Sequence, residues 1–240
     1  MLMDQHLLIV GGTSGIGLAL AEAAVDEGAR VTIAGRDAGR LEEAVLAIGG
    51  DVRGESVDVS DEDSIKALFA RVGPIDHLIA TPGFDHSPAL VAEADAAVVE
   101  KLFRTKFLGQ YLLAKHAVSQ LSESGSITLT SGVLSTRPAA GFAALASVNA
   151  GIEALGRTLA LELSPRRVNV VSPGVIDTGK RFAHLEAAER TTKLQSTFGD
   201  ALPVKRVGLP QDVAQAYLFA MQNPFLTGQT LTVDGGNSVR

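Results

Sequence analysis

The chain has 240 residues, of which 46% are hydrophobic and 20% charged, and it contains no cysteine. This length and apolar content allow a sizeable core and exclude a disordered or collagen-like chain, while the lack of cysteine excludes disulfides, thiolate catalysis and cysteine-ligated zinc. The formal net charge of −6, without any cluster of lysine and arginine, argues against nucleic acid or an anionic membrane as a partner.

Strand and helix patterns alternate along the chain. In chain order the predicted elements are strand His6–Val10, helix Gly15–Glu27, strand Arg30–Ala34, helix Asp37–Ile48, strand Asp51–Val57, helix Ser60–Arg71, strand Ile75–Ala80, helix Glu93–Leu121, strand Ser126–Thr130, helix Ala139–Leu163, strand Val168–Val171, helix Pro210–Met221 and strand Thr230–Val233. Right-handed crossovers between such elements predict an α/β doubly wound (Rossmann) fold, with about seven parallel strands and helices on both faces. No repeat or linker divides the chain, so residues 1–240 are expected to form a single domain.

The amino terminus and the most apolar segment favour a cytoplasmic protein. The first ten residues carry neither a cationic region nor a long apolar region of the kind found in signal peptides. The most apolar stretch, Ala139–Leu163, contains Glu153, Arg157 and Glu162, which is typical of a buried helix and not of a membrane span.

A glycine-rich segment joins the first strand to the first helix. Gly11, Gly15 and Gly17 have the spacing G-x-x-x-G-x-G. Glycines at such a turn let backbone N–H groups approach a pyrophosphate at the start of a helix. The position directly after the first strand favours a dinucleotide site over a merely flexible turn.

The glycine spacing and five further motifs resemble the short-chain dehydrogenase/reductase family of the classical type. The further motifs cover most of the remaining chain and are Asp58-Val59, Leu161–Leu163 with Arg167–Val170, Ser172–Thr178, Thr227–Gln229 and Val233–Gly236. The resemblance implies a nicotinamide cofactor that is held by residues following the strands. These expected cofactor-binding residues are Gly11, Thr13, Ser14, Gly15, Ile16, Gly17, Asp58, Val59, Pro173, Gly174, Ile176 and Thr178.

The end of the second strand bears on the choice between NAD and NADP. Folds specific for NAD place a carboxylate here to hold the ribose hydroxyls, whereas this chain has Ala34 and Gly35 followed by Arg36. The Arg36 guanidinium suits the 2′-phosphate of NADP, which is the expected cofactor. Two alternatives stay open: Asp37 allows NAD if the turn shifts, and Arg36 could be a solvated residue at the helix start.

The catalytic pattern of the family is incomplete in this chain. The family uses a Ser, a Tyr, a Lys four positions after the Tyr, and an Asn on the preceding long helix. Ser131 matches the Ser, whereas the family's spacing places Ala144 at the Tyr position, Val148 at the Lys position and Lys106 at the Asn position. Neither Tyr nor Lys occurs between positions 116 and 179.

A Tyr-x-x-x-Lys string does occur at Tyr111 and Lys115, but it precedes Ser131. At ~100° per residue, Tyr111 lies about 140° around the helix from Lys106, so the two side chains face different surroundings. Tyr111 is expected to be a packing or subunit-contact residue, and Tyr217, the other tyrosine, a core residue.

Hydride transfer to a carbonyl still requires a proton donor or an electrostatic stabiliser for the developing alkoxide. We expect the Lys106 ammonium to take the space left by Val148 and to replace the lost cation, with Ser131 contacting the substrate carbonyl and Asn149 nearby. An equally open alternative is that Lys106 is a surface or interface residue. No histidine or carboxylate spacing predicts a metal site, and no G-x-S-x-G or P-loop motif predicts a hydrolase or NTPase.

Residues 179–202 resemble the family's substrate lid. Its expected apolar inner face consists of Phe182, Leu185, Leu194 and Phe198, and the side chains expected to face water are Arg181, Glu186 and Lys193. A lid over this site suits a small organic carbonyl compound or alcohol.

Two main functions are compatible with these patterns. The first is an NADP(H)-dependent oxidoreductase that reduces a carbonyl or oxidises a secondary alcohol by a non-standard proton route. The second is a nucleotide-binding protein that senses NADP or has a structural role without turnover, and a lyase- or isomerase-like activity is a third, weaker alternative. The resemblance also implies a homo-dimer or homo-tetramer that assembles through the two long helices.

Overall fold

The computed structural model describes residues 2–83 and 87–240; one of the five histidines, His86, therefore lies outside the described residues. Seven parallel strands form one sheet: β1 (His6–Val10), β2 (Arg30–Gly35), β3 (Val52–Ser56), β4 (Ile75–Ala80), β5 (Leu121–Thr130), β6 (Arg167–Pro173) and β7 (Thr230–Val233). Their order is β3-β2-β1-β4-β5-β6-β7. The predicted α/β doubly wound fold is confirmed.

Helices cover both faces of this sheet. In the described part of the chain they are α1 (Gly15–Asp26), α2 (Ala38–Ile48), α3 (Glu62–Val72), α4 (Ala96–Leu102), α5 (Gly109–Ala117), α6 (Ala143–Glu162), α7 (Ala187–Thr197) and α8 (Pro210–Gln222). One apolar core joins the sheet to α3, α5 and α6, and a second joins it to α1, α2 and α8. None of the helices described combines the length and hydropathy that a bilayer-spanning segment needs.

The sheet order places a crevice beside β1. The chain moves from β1 outward to β2 and β3, then crosses back to β4 on the other side of β1. The loops that follow β1 and β4 therefore diverge at the carboxyl ends of the strands, where open α/β sheets bind their ligands.

The region predicted as one helix, Glu93–Leu121, differs most from expectation. The structure has α4, a π-helical segment at Phe103–Leu108, and then α5, which ends at Ala117. Leu121 belongs to β5 because it pairs with Ile75 in the sheet, and the Ile75 N–H donates to the carbonyl of Gln120 at 2.9 Å. The apolar spacing could not show this boundary, since it is set by pairing with a distant strand.

The predicted helix Ala139–Leu163 begins four residues later, at Ala143. A turn occupies the intervening positions, in which the Phe142 N–H donates to the Ala139 carbonyl at 3.2 Å. Gly141 has φ +83°, a left-handed conformation that ends any helix running through it.

The predicted lid segment contains a helix that the sequence patterns did not indicate, α7. Leu194 is buried, and Phe182, Leu185 and Phe198 are half-buried. Arg181, Glu186 and Lys193 are exposed, so the segment has the apolar inner face and charged outer face that were predicted. Its role as a substrate lid remains a prediction.

Candidate active site

The glycine-rich turn after β1 is packed too closely for side chains. Gly11 has φ +95°, and a Cβ atom there would collide with the backbone of Thr81 at the end of β4. A Cβ atom on Gly17 would collide with the carbonyl oxygen of Gly11. Both positions therefore require glycine, and the turn lies directly against the crevice beside β1.

The start of α1 offers unpaired backbone N–H groups to this crevice. Ser14 is the N-cap residue, but no side chain caps the first turn and no acidic residue lies in it. Two residues of the turn, Thr13 and Ser14, line an open cavity of about 420 Å³ together with Thr178 and residues of α2. A Cβ atom on Gly15 would lie 3.0 Å from the Thr178 side chain, so the loop after β6 closes over the turn. The uncapped start of α1 gives this turn the backbone polarity that a pyrophosphate requires.

The loop after β6 lies against the glycine-rich turn. Pro173 ends β6, and Gly174 follows it at a point where a Cβ atom would lie 2.7 Å from the Cα atom of Asp234. Ile176 forms a bridge with Gly208 and packs against the core beneath α1 and α8. These three residues of the family motif thus lie at the carboxyl end of β6, beside the glycine-rich turn; their contact with a cofactor remains a prediction.

The residues after β2 and β3 lie farther along the carboxyl edge of the sheet. Arg36 is exposed and forms no hydrogen bond or ion pair with any described residue. Asp37 instead caps α2, because its carboxylate accepts the Arg40 N–H at 3.0 Å. The Asp58 carboxylate accepts the hydroxyl and the N–H of Ser60, and these bonds, with a small contribution from Arg36, lower its pKa. Val59 is buried beneath it.

Lys106 lies in the π-helical segment and reaches the carboxyl end of β5. Its ammonium donates to Asn149 Oδ1 at 2.7 Å and to the carbonyl oxygen of Ser131 at 3.0 Å. Both acceptors are neutral, and no carboxylate of the described residues forms an ion pair with Lys106. Burial lowers the pKa of Lys106 to about 8, so the amine can exchange a proton near neutral pH.

Gln110 fixes the backbone of this segment. Its amide nitrogen donates to the carbonyls of Lys106 at 2.8 Å and Thr130 at 3.0 Å, and its amide oxygen accepts the Thr130 N–H at 2.8 Å. The side chain is fully buried. Sequence patterns did not single out Gln110, because a buried glutamine inside an apolar helix reveals its partners only in the fold.

One expectation about the catalytic centre needs correction. Val148 is fully buried in the apolar core, and its neighbour Asn149 is the residue that meets Lys106. Consecutive residues of a helix point about 100° apart, so the two positions face different surroundings. The lysine therefore does not fill the space beside Val148.

The Ser131 hydroxyl forms a hydrogen bond within the protein. It donates to Glu153 Oε1 at 3.0 Å, and the Ser135 hydroxyl donates to the same oxygen at 2.5 Å. Ser131 thus faces Lys106 through its carbonyl and not through its hydroxyl. Glu153 was missed as a site residue, although its spacing of four from Asn149 places both on one helix face.

Neither tyrosine belongs to this arrangement. Tyr217 is fully buried, and its hydroxyl lies 2.7 Å from Thr130 Oγ1; burial raises its pKa. Tyr111 is 44% exposed on α5. Tyr217 is therefore the core residue that was expected, and Tyr111 is available for packing against another surface. No cluster of possible metal ligands occurs within residues 2–83 and 87–240.

Known proteins resemble this chain over its full length. The family model described as enoyl-(acyl carrier protein) reductase matches residues 10–238. A short-chain dehydrogenase/reductase from Acremonium, ucsE, is 35% identical over 99% of this chain and 97% of its own length. Carbonyl reductase family member 4 from Danio rerio is 31% identical over 98% of both.

A solved structure shows the same fold. A small-chain dehydrogenase crystallised in complex with NADPH is 37% identical, with a TM-score of 0.84 over 99% of this chain and 100% of that one. Sequence, family model and fold agree, and the chain belongs to the short-chain dehydrogenase/reductase family of oxidoreductases.

Proposed function

We propose that this protein is an NADPH-dependent reductase of a carbonyl group in a small molecule, with Lys106 as the cation of its catalytic centre. The observation that carries the proposal is the position of the Lys106 ammonium. It lies at the carboxyl end of β5, beside the cofactor edge of the sheet, and is held by two neutral oxygens. Its positive charge therefore remains available to a reacting oxygen.

The contact between Lys106 and Asn149 supports this role. In the family pattern an asparagine lies on the helix before β5 and a lysine on the helix after it. Here the lysine, Lys106, lies before β5 and the asparagine, Asn149, lies on α6 after it. The same two side chains are thus in contact, but their positions in the chain are exchanged. The helix face that meets Lys106 contains Asn149 and, one turn earlier, Leu145, which implies that Leu145 and not Ala144 takes the place of the family's tyrosine.

The surroundings of Arg36 support NADPH as the cofactor. The Arg36 guanidinium is exposed and forms no hydrogen bond or ion pair with the described residues, so it can bind a 2′-phosphate. Asp37, the residue that kept NAD open, is engaged as the cap of α2. The small-chain dehydrogenase in complex with NADPH adds support from a related protein.

In the proposed reaction the cofactor, Lys106, Ser131 and Asn149 would each have one role. When bound, NADPH would supply the hydride, with its phosphates on the glycine-rich turn and Thr178, and with Pro173, Gly174 and Ile176 beside the nicotinamide. The Lys106 ammonium would then stabilise the oxygen that becomes negative and donate its proton there. Ser131 would orient Lys106 through its carbonyl, and Asn149 would hold the neutral amine after the proton has left.

The first experiment measures cofactor binding without any knowledge of the substrate. Purified protein is titrated calorimetrically with NADPH and, separately, with NADH. We expect tight binding of NADPH and weak binding of NADH. Equal binding would contradict the role of Arg36, and binding of neither would contradict the reductase.

The second experiment tests Lys106. NADPH oxidation is followed with a panel of small ketones and aldehydes for the wild type, for Lys106→Met and for Lys101→Met, whose side chain is exposed on α4. We expect Lys106→Met to lose about a hundredfold or more in turnover, as for removal of one electrostatic or acid–base group, with Lys101→Met unchanged. Equal turnover of both variants would contradict the proposal.

The alternative is a protein that binds the nucleotide without turnover. The hydrogen bond from the Ser131 hydroxyl to Glu153 favours it, since the hydroxyl then does not donate to a substrate carbonyl. Tight NADPH binding without oxidation of NADPH by any panel compound would support this alternative over the reductase.

A further inference from the structure

Ser131 is held at three atoms, each bonded to a different element. Its N–H donates to the Val171 carbonyl of β6 at 2.9 Å. Its hydroxyl donates to Glu153 of α6 at 3.0 Å, and its carbonyl accepts the Lys106 ammonium at 3.0 Å. The bonds of Ser131 to Val171 and to Glu153 therefore oppose any rotation that would turn the Ser131 carbonyl away from Lys106.

Helix α6 contacts this assembly at two positions on one face. Asn149 binds the Lys106 ammonium, and Glu153, one turn later, binds the Ser131 hydroxyl. Between them and the loop lies Gly132, where a Cβ atom would come within 2.9 Å of Asn149 Nδ2. A shift of the loop relative to α6 would alter both partners of the lysine together.

One oxygen of the Glu153 carboxylate accepts hydrogen bonds from two residues of this loop. The hydroxyls of Ser131 and Ser135 both donate to Oε1, and Ser135 ends the short 3-10 turn after β5. The loop after the strand is thus attached to α6 immediately next to the candidate catalytic lysine.

From these contacts we propose that Glu153 is a positioning residue of the site: by holding the Ser131 hydroxyl, it directs the Ser131 carbonyl at the Lys106 ammonium. Glu153 itself does not contact a substrate or the cofactor in this scheme. The inference rests on the proposed role of Lys106 for its meaning in catalysis, but the contact can be tested without turnover.

The test measures the reactivity of Lys106 directly. Folded protein is treated briefly with formaldehyde and dimethylamine–borane, and methylation of Lys106 is compared by mass spectrometry with that of Lys193, an exposed lysine of α7. Glu153→Ala should raise the Lys106 to Lys193 ratio about fivefold, the factor expected for loss of one hydrogen bond. Ser131→Ala should raise it as well, because it removes the Ser131–Glu153 bond while the Ser135–Glu153 bond remains.

Three further variants make the outcome decisive. Glu153→Gln keeps an oxygen acceptor and should therefore retain the wild-type ratio. If Glu153 acted only through its negative charge, the neutral amide would not retain it. The double variant Glu153→Ala/Ser131→Ala should equal Glu153→Ala, since loss of Glu153 already removes its bond to Ser131. Glu162→Ala, at an exposed position of the same helix, is the matched control.

An unchanged ratio in Glu153→Ala or Ser131→Ala, or a ratio in Glu153→Gln as high as in Glu153→Ala, would overturn the proposal. If Glu153→Ala does not fold, the Ser131→Ala measurement decides the matter alone. Failure to find a reductase substrate would contradict the proposed function and leave the outcome of this labelling experiment intact.

Discussion

Lys106 is an amine whose charge is set by burial and not by a carboxylate partner. Burial lowers its pKa to about 8, and its two acceptors are neutral. If the protonated amine donates to the substrate oxygen, the reductive rate should be constant at lower pH and fall as pH rises through about 8, up to tenfold per pH unit. The measurement is kcat/KM for NADPH oxidation across this range with the best panel substrate. A profile that is flat through pH 8 would contradict proton donation by Lys106.

Arg36 should determine the choice of cofactor. Its exposed guanidinium forms no hydrogen bond or ion pair with the described residues. A charge-assisted contact with phosphate is worth about 1.5–3 kcal/mol, so Arg36→Ala should weaken NADPH binding by roughly 10-fold to 100-fold. Binding of NADH, which lacks the 2′-phosphate, should change little. Calorimetric titration of both cofactors checks this, with Arg157→Ala, an exposed arginine of α6, as the control. A parallel loss of affinity for NADH would show that Arg36 contributes to the fold of the loop.

At the scale of elements, the π-helical segment and Gln110 explain how a lysine on one helix reaches the end of a strand. Three hydrogen bonds of Gln110 join the Lys106 carbonyl to Thr130, the last residue of β5. Wider π-helical turns release such carbonyls from the regular ladder and are often found at functional sites.

Replacement of Gln110 by leucine should therefore destabilise the protein. The variant removes three hydrogen bonds to buried backbone groups, and we expect a loss of about 3 kcal/mol in the free energy of unfolding. Urea unfolding followed by circular dichroism measures it. Gln211→Leu, at an exposed position of α8, should change stability by less than about 0.5 kcal/mol. Equal stability of the two variants would show that the Gln110 bonds contribute little.

The elements also show which parts of the fold can be predicted. Strands β1, β4 and β7 begin and end where the apolar runs predicted, because their boundaries coincide with turn residues. The predicted end of α5 and the predicted start of β5 were wrong by several residues, because the pairing of Leu121 with Ile75 overrides the helical pattern. Helix α7 was missed because the segment was interpreted only as a lid.

At the scale of the whole molecule, the amino ends of the strands contain buried histidines that should make stability depend on pH. His77 is 3% exposed and lies 2.8 Å from Ser126 Oγ and 3.0 Å from Gln5 Oε1. Burial lowers the pKa of His77 to about 4, and that of His6 is also lowered by burial.

The sign of the pH effect follows from the lowered pKa. Between pH 6.5 and about 4 the unfolded chain binds a proton at His77 that the folded chain does not. The free energy of unfolding is therefore unaffected by His77 above pH 6.5 and decreases as pH falls, by about 3 kcal/mol in total. Urea unfolding at several pH values measures the slope. His77→Gln should reduce the slope relative to wild type, and an identical slope in the two proteins would rule out His77 as its source.

Exposed apolar side chains in the π-helical segment and α5 bear on the oligomeric state of the protein. Phe103, Leu108 and Tyr111 are each at least 36% exposed, which is unusual for large apolar side chains clustered on one helical run. We expect a homo-dimer or homo-tetramer, which light scattering after size-exclusion chromatography would detect. A monomer at micromolar concentration would contradict this expectation.

The sequence by itself determined the family, the order of the strands and helices along the chain, and the glycine-rich turn after β1. These depend on local patterns: apolar periodicity, glycines where no Cβ fits, and short motifs after strands. It also placed Lys106 and Ser131 near each other. Only the tertiary structure decided that Asn149 and not Val148 meets the lysine, that Ser131 presents its carbonyl, and that Glu153 and Gln110 hold the site. These contacts join residues that are distant in the chain, and one step of about 100° along α6 changes which side chain faces the site.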